Sequence, residues 1–287
     1  MSPKMKNFIV RAITGALFVA IMVAGLLDPT AMIGLFALIT GLALWEYTGL
    51  VNNIENVCIN RFISTVAGVY LFVAIAGINS GIIQTNAVFV PYLLTVVYLF
   101  ISELYTRNAN AVNDWAYTML GQMYIALPLA CINVLAFRQQ PDGTISFYFL
   151  LPLSVYIFLW VNDTGAYLSG SLLGRHKLFP RISPGKSWEG SIGGGLLVLA
   201  VAALLGWWEN SHECLSGLSV IEWTGLGLVV VFFGTWGDLV ESLFKRTLGI
   251  KDSGSILPGH GGMLDRFDSS LMAIPASVIY IYSLTLL

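Results

Sequence analysis

Apolar runs of about 20 residues recur along almost the whole chain, and this limits what it can fold into. Coiled as a helix, such a run crosses a hydrocarbon core of ~30 Å. Inside lipid every backbone N–H and C=O must find a partner within the protein, which leaves helices or closed barrels. Runs near 9–27, 30–50, 62–79, 88–106, 116–137, 146–170, 191–208, 222–245 and 266–286 predict about nine spans. The expected fold class is all-α, a polytopic helical membrane protein. Only 10% of the 287 residues are charged and 56% are hydrophobic, whereas a soluble domain carries about 25% charge. Residues 1–145 read as N-terminal membrane helices and 146–287 as membrane helices with polar loops, in one integral unit.

Basic residues give the orientation. With the N-terminus in the cytoplasm and the sides alternating, every Lys and Arg except Arg138 falls on the cytoplasmic side. The other side receives Asp28, Asp142, Glu209, Glu213, Glu222 and the C-terminus. The first run has a basic flank but exits through Leu27, Asp28 and Pro29 without a small-x-small cleavage site, so it reads as an uncleaved helix. Trp45, Trp115, Trp188, Trp207, Trp208 and Trp223 fall near expected membrane boundaries, as an aromatic belt does. A net charge of −2 argues against nucleic-acid binding. Three cysteines at Cys58, Cys131 and Cys214 show neither metal spacing nor a disulfide framework.

Against this apolar background the stretch 242–268, SLFKRTLGIKDSGSILPGHGGMLDRFD, stands out. It interleaves Lys245, Arg246, Lys251 and Arg266 with Asp252, Asp265, Asp268 and His260, and sets Gly261 and Gly262 beside the histidine. Glycines let backbone N–H groups approach a ligand closely. Basic side chains suit phosphates, and carboxylate oxygens suit Mg²⁺. The stretch reads as a site for a metal–nucleotide complex.

A second polar constellation lies at 160–190, WVNDTGAYLSGSLLGRHKLFPRISPGKSWEG. Asn162 and Asp163 interrupt an apolar helix, and an ionisable residue at that depth points to function. The other reading is a pair satisfied by a neighbouring helix. Ser183, Gly185, Lys186 and Ser187 then precede a helix start, where free N–H groups attract anions. The glycine spacing is not that of a Walker A loop.

In the eighth run, Asp238, Glu241, Ser242 and Lys245 share one helical face. Asp163 and Asp238 lie at similar depth, so they are expected to face one another. Asp265 and Asp268, three apart, are expected on one face of the ninth helix. Clustered carboxylates in low dielectric repel unless a cation holds them. The alternative for Asp238 and Glu241 is an internal ion pair with Lys245. Glu46 and Glu103, near the cytoplasmic ends of the second and fourth runs, either support the site or mark the membrane interface, and the interface is the preferred reading. From the residues alone, the chain is a helical membrane enzyme with a cytoplasm-facing Mg²⁺–phosphate site and one substrate arriving from the bilayer.

The gap-free pattern Ser242, Lys245, Arg246, Lys251, Asp252, then Pro258 to Gly262, Asp265, Arg266 and Asp268 resembles the signature of phosphatidate cytidylyltransferases, the CDP-diacylglycerol synthases. The elements at 162–167 and 183–190 resemble two further motifs of that family. The resemblance covers 160–268 by motif, and the first five helices by hydropathy only. It implies that CTP and phosphatidate are the partners and that CDP-diacylglycerol and pyrophosphate are the products, at the inner cell membrane. The metal set is expected to be Asp265 and Asp268 with Asp238 and Asp163, holding Mg²⁺. The spacing leaves a second cation open. Lys186, Lys245 and Arg246 are expected to hold phosphates, and His260 with its glycines to shape the pyrophosphate pocket. Asn162, Ser183, Gly185, Ser187, Ser242, Lys251, Gly261, Gly262 and Arg266 complete the expected substrate-binding set. A homodimer is compatible with the sequence. Competing readings are a membrane lipid kinase using a nucleoside triphosphate and an ion transporter.

Overall fold

A computed structural model describes residues 3–106, 110–140, 142–212, 216–256 and 261–285. His260, with Pro258 and Gly259, lies outside them, as does Arg107. The protein is helical, with two small hairpins. Its helices are α1 (Pro3–Leu26), α2 (Pro29–Val51), α3 (Arg61–Asn79), α4 (Val90–Ser102), α5 (Ala111–Ala136), α6 (Leu150–Leu173), α7 (Trp188–Ser211), α8 (Val220–Thr247), α9 (Leu264–Phe267) and α10 (Ser270–Thr285). Among the described residues six helical segments are both long and apolar enough to cross a membrane. Residues 12–26 and 86–102 are shorter apolar helices. The 24-residue α6 is not one of the six; the polar run from Asn162 to Thr164 lies within it. The expected runs lie largely on helix, and length and hydropathy single out six of the described segments as candidate spans.

Packing divides the chain into two compact units: Met1–Phe149 with Leu248–Phe267, and Leu150–Thr247 with Asp268–Leu287.

In the first unit, α2 starts where Asp28 accepts from the Ala31 N–H at 2.8 Å and Pro29 supplies a pre-set φ. Asn60 caps α3 in the same way, accepting from Ile63. In α5, a π-helical turn at Gln122–Ala126 precedes Pro128. Proline offers no N–H and its ring crowds the carbonyl four residues back, so the ladder widens there. The turn places Gln122, which donates to the Ser64 carbonyl at 2.8 Å in the buried centre. Strands β1 (Phe137–Gln139) and β2 (Ile145–Phe147) form an antiparallel hairpin, Phe137 opposite Phe147.

In the second unit, α6 and α7 pack through small residues. A Cβ on Gly194 would lie 2.6 Å from the Asn162 carbonyl oxygen. Only glycine allows that approach, and in lipid such close contact replaces the hydrophobic effect as the source of helix association. Between these helices β3 (Lys177–Phe179) pairs antiparallel with β4 (Ser183–Ser187), with an irregularity between Lys177 and Phe179. Glu209 near the end of α7 is buried and accepts from the Ser216 N–H at 2.9 Å and the Trp223 indole N–H at 2.7 Å. Trp223 is therefore fully buried, a correction to its expected place in an aromatic belt. Its indole donor has a carboxylate partner and needs no interfacial water.

The ninth run is broken. Asp268 and Ser269 form a turn between α9 and α10, so Asp265 and Asp268 do not share one continuous helical face as expected. They also belong to different units.

Candidate active site

The second unit contains a cleft of about 330 Å³. One wall is α6, with Asn162, Asp163, Ala166 and Gly170. The opposite wall comes from the end of β4 and the first turn of α7, with Gly185, Lys186, Ser187, Gly190 and Ser191. Gly234 and Thr235 of α8 and Ser269 complete it. The two polar elements of 160–190 thus line one cavity. Asn162 is buried, whereas Asp163 is exposed in the cleft rather than deep in the bundle as expected. Its place partway along α6 had suggested depth, but the helix wall is open there.

Ser187 caps α7, accepting from the Gly190 N–H at 3.2 Å. Capping ends the strand and turns the chain so that Lys186 points from the strand end. The Lys186 ammonium meets the Asp238 carboxylate at 2.5 Å. One turn along α8, the Ser242 hydroxyl donates to the other oxygen of Asp238 at 3.1 Å. Lys245 pairs with Glu241 at 2.5 Å, and the Glu241 side chain is fully buried. The alternative of an internal ion pair thus holds for Glu241, while Asp238 takes Lys186 instead. Arg246 is exposed, and its Nε donates to the Ile182 carbonyl at 3.5 Å. Ser183 sits on β4 opposite Phe179 and is not in the cleft lining.

Asp268 is half-buried, and the charges acting on it are those of Asp238, Asp163 and Lys245. Carboxylates therefore outnumber ammonium groups in this part of the unit. Hard oxygen donors of this kind suit Mg²⁺ chemically. Among the described residues, however, no three His, Cys, Asp or Glu side chains are gathered closely enough to hold an ion. Asp238 is held by an ammonium where a cation would otherwise neutralise it.

The first unit holds the other half of the signature. Asp265 accepts from the backbone N–H of Ser253 at 2.9 Å and of Gly262 at 2.8 Å. Gly261 has φ +82, which favours glycine. Lys251 and Arg266 are exposed. Glu46 of α2, for which site support and the membrane interface are the two readings, is buried against this loop. Its carboxylate accepts from the Ser253 hydroxyl and from the Met263 N–H, the latter at 2.7 Å.

Over residues 6–284 the chain matches the model of the cytidylyltransferase family. The chain belongs to that family. It is 32% identical over 267 residues to the phosphatidate cytidylyltransferase of Staphylococcus aureus, covering 93% of this chain and 96% of that protein. The Staphylococcus epidermidis phosphatidate cytidylyltransferase is similar to the same extent. That of Haemophilus influenzae is 32% identical over 255 residues, covering 84% of this chain and 87% of that protein.

Within this cytidylyltransferase, the residues not singled out by the sequence are Glu189, Thr235 and Ser269, while the sequence marks Glu46 only as a site support or an interface residue. Glu189 accepts from the His176 ring at 2.6 Å and from the backbone N–H groups of Arg175 and His176, fixing the chain after α6. It lies inside a motif already singled out, so a signal existed. Glu46 was visible only as an acid in an apolar helix. Thr235 and Ser269 carry no signal of their own.

Proposed function

We propose that the chain transfers CMP from CTP to phosphatidate, giving CDP-diacylglycerol and pyrophosphate at the cytoplasmic face of the cell's inner membrane. The observation that carries this reading is the cleft of the second unit. It gathers Asn162, Asp163 and Lys186 from two separate motifs, and Lys186 there meets Asp238.

A phosphate oxygen of phosphatidate attacks the α-phosphorus of CTP. The bond from that phosphorus to the bridging oxygen breaks, and pyrophosphate leaves with the electron pair. A phosphate monoester has a second pKa of about 6 and is already largely ionised at neutral pH. No strong general base is required, so the protein's task is to position two anions and to offset their charge. Lys186, Lys245 and Arg246 are the proposed phosphate partners. With three N–H donors, an ammonium can serve Glu241 or Asp238 and an anion together. Asn162, Ser183, Gly185, Ser187 and Ser242 are proposed around the same substrates. Lys251, Gly261, Gly262, Arg266 and His260 are proposed for the nucleotide.

Asp163, Asp238, Asp265 and Asp268 are the proposed Mg²⁺ ligands. When bound, the cation supplies charge neutralisation at the phosphates. Asp265 spends one oxygen on two backbone N–H groups, which orients its carboxylate. A second cation and a homodimer remain part of the proposal as compatible additions.

The proposed topology has nine spans, a cytoplasmic N-terminus and an external C-terminus. The one-sided distribution of Lys and Arg supports it.

The test is direct. Purified protein with labelled CTP and phosphatidate should yield a CDP-lipid and pyrophosphate. Release of a nucleoside diphosphate would mark a kinase, and neither product would remove the reading.

A further inference from the structure

The structure assigns to Glu46 a positioning role for the signature loop, although Glu46 lies on α2, some 200 residues away in sequence. This inference rests on the proposed reaction for its kinetic consequence, not for its structural part.

Residues 251–256, 262 and 263 carry neither helix nor strand, so their backbone N–H groups need other partners. Two carboxylates supply them. Asp265 takes the N–H groups of Ser253 and Gly262. Glu46 takes the Met263 N–H and the Ser253 hydroxyl. The same Ser253 hydroxyl accepts from the Asp265 N–H at 3.3 Å, which joins the two carboxylates into one network. Both ends of the loop, Ser253 and Met263, are thereby tied to one side chain of α2.

Two glycines make sense only in this light. A Cβ on Gly262 would overlap the Glu46 carboxylate, and one on Gly254 would come within 2.8 Å of it. Glu46 is 7% exposed, Ser253 4%. A buried carboxylate is tolerated only when charge-assisted hydrogen bonds offset its lost hydration. Here those bonds come from the loop itself. The arrangement converts the burial of one charge into a fixed path for the segment that carries Gly261, Gly262 and Asp265.

Amide hydrogen exchange reads the clasp without any activity. In Glu46→Gln, the Met263 amide should exchange at least tenfold faster than in the unaltered protein, with the amides of α6 and α7 unchanged. Glu46→Asp should behave like Glu46→Gln, because the shortened side chain keeps charge but loses reach. Rescue by aspartate would mean that charge alone matters and would overturn the clasp. Ser253→Ala removes the partner from the loop side and should loosen the same amides. It serves if the Glu46 variants do not fold.

Gly262→Ala should accelerate exchange of the loop amides in the natural background and far less beside Glu46→Ala, where the overlapping carboxylate is gone. Equal effects in both backgrounds would overturn the inference. In the CDP-lipid assay, Glu46→Gln should lower kcat at least tenfold. Loosened amides with an unchanged kcat would leave Glu46 structural only and refute the positioning role. If the unaltered protein forms no CDP-lipid, the proposed reaction fails, while the exchange experiments still decide the clasp.

Discussion

The Lys186 ammonium and the Asp238 carboxylate meet at 2.5 Å, joining the end of β4 to the middle of α8 across the second unit. Each side chain keeps roughly a quarter of its surface exposed, 27% and 28%. An ion pair this open contributes at most about 1 kcal/mol to stability, so its placement speaks for ligand binding more than for folding.

Lys186→Met should therefore leave the protein folded and slow CDP-lipid formation. Losing a charge-assisted hydrogen bond costs about 1.5–3 kcal/mol, which is roughly 10- to 150-fold in rate. Lys186→Arg should recover only part, since a planar fork replaces a point charge. Steady-state kinetics with purified variants checks this. A thermal midpoint that drops sharply with unchanged kinetics would make the pair structural.

Lys245 should behave differently. Its partner Glu241 is fully buried, and stripping the cation leaves an uncompensated charge. Lys245→Ala should lower stability by about 3–5 kcal/mol yet still insert in membranes. Adding Glu241→Gln should restore most of the stability. If Lys245 also holds a phosphate, activity should stay low in the stable double variant. Recovery of both stability and rate would confine Lys245 to the fold.

The topology is tested by fusion. A reporter after Leu287 and a reporter inserted in the loop 175–186 should lie on opposite sides of the membrane. The same side for both would require an even number of spans between them instead of the proposed three.

The helices were legible because an uninterrupted apolar run of about 20 residues has the length of a membrane helix and is about twice that of a barrel strand. The polar cleft was legible because Asn162, Asp163 and Lys186 are conspicuous among apolar neighbours. Other features were not. That Lys186, rather than Lys245, would meet Asp238 depends on where the β3–β4 hairpin ends, and no spacing encodes a contact between residues 52 apart. Glu46 lies on a helix with little amphipathic pattern, so nothing local says whether its carboxylate meets water or a loop from the far end of the chain. The break at Asp268 and Ser269 is not legible in the sequence because the run around it stays apolar on both sides, and hydropathy does not register a turn.

That break changes what the metal prediction asks. Asp265 and Asp268 carry the same side chain in different settings. Asp265 accepts two backbone N–H groups, while Asp268 is acted on by two other carboxylates, Asp238 and Asp163, and by the Lys245 ammonium. Asparagine keeps an acceptor oxygen, so Asp265→Asn retains the means to hold the Ser253 and Gly262 amides. If that is its whole task, the variant should keep activity within a few-fold. If Asp265 also binds Mg²⁺, losing an anionic oxygen should cost orders of magnitude, because a hard cation prefers charged ligands. Asp268→Asn relieves a repulsion among carboxylates, so the protein should be at least as stable as before. Its activity should nevertheless collapse if the cluster exists to hold a cation, with partial recovery as Mg²⁺ is raised. Rate measured against Mg²⁺ concentration, together with thermal stability, separates these outcomes. A stable Asp268→Asn protein with an ordinary rate at ordinary Mg²⁺ would remove Asp268 from the metal set.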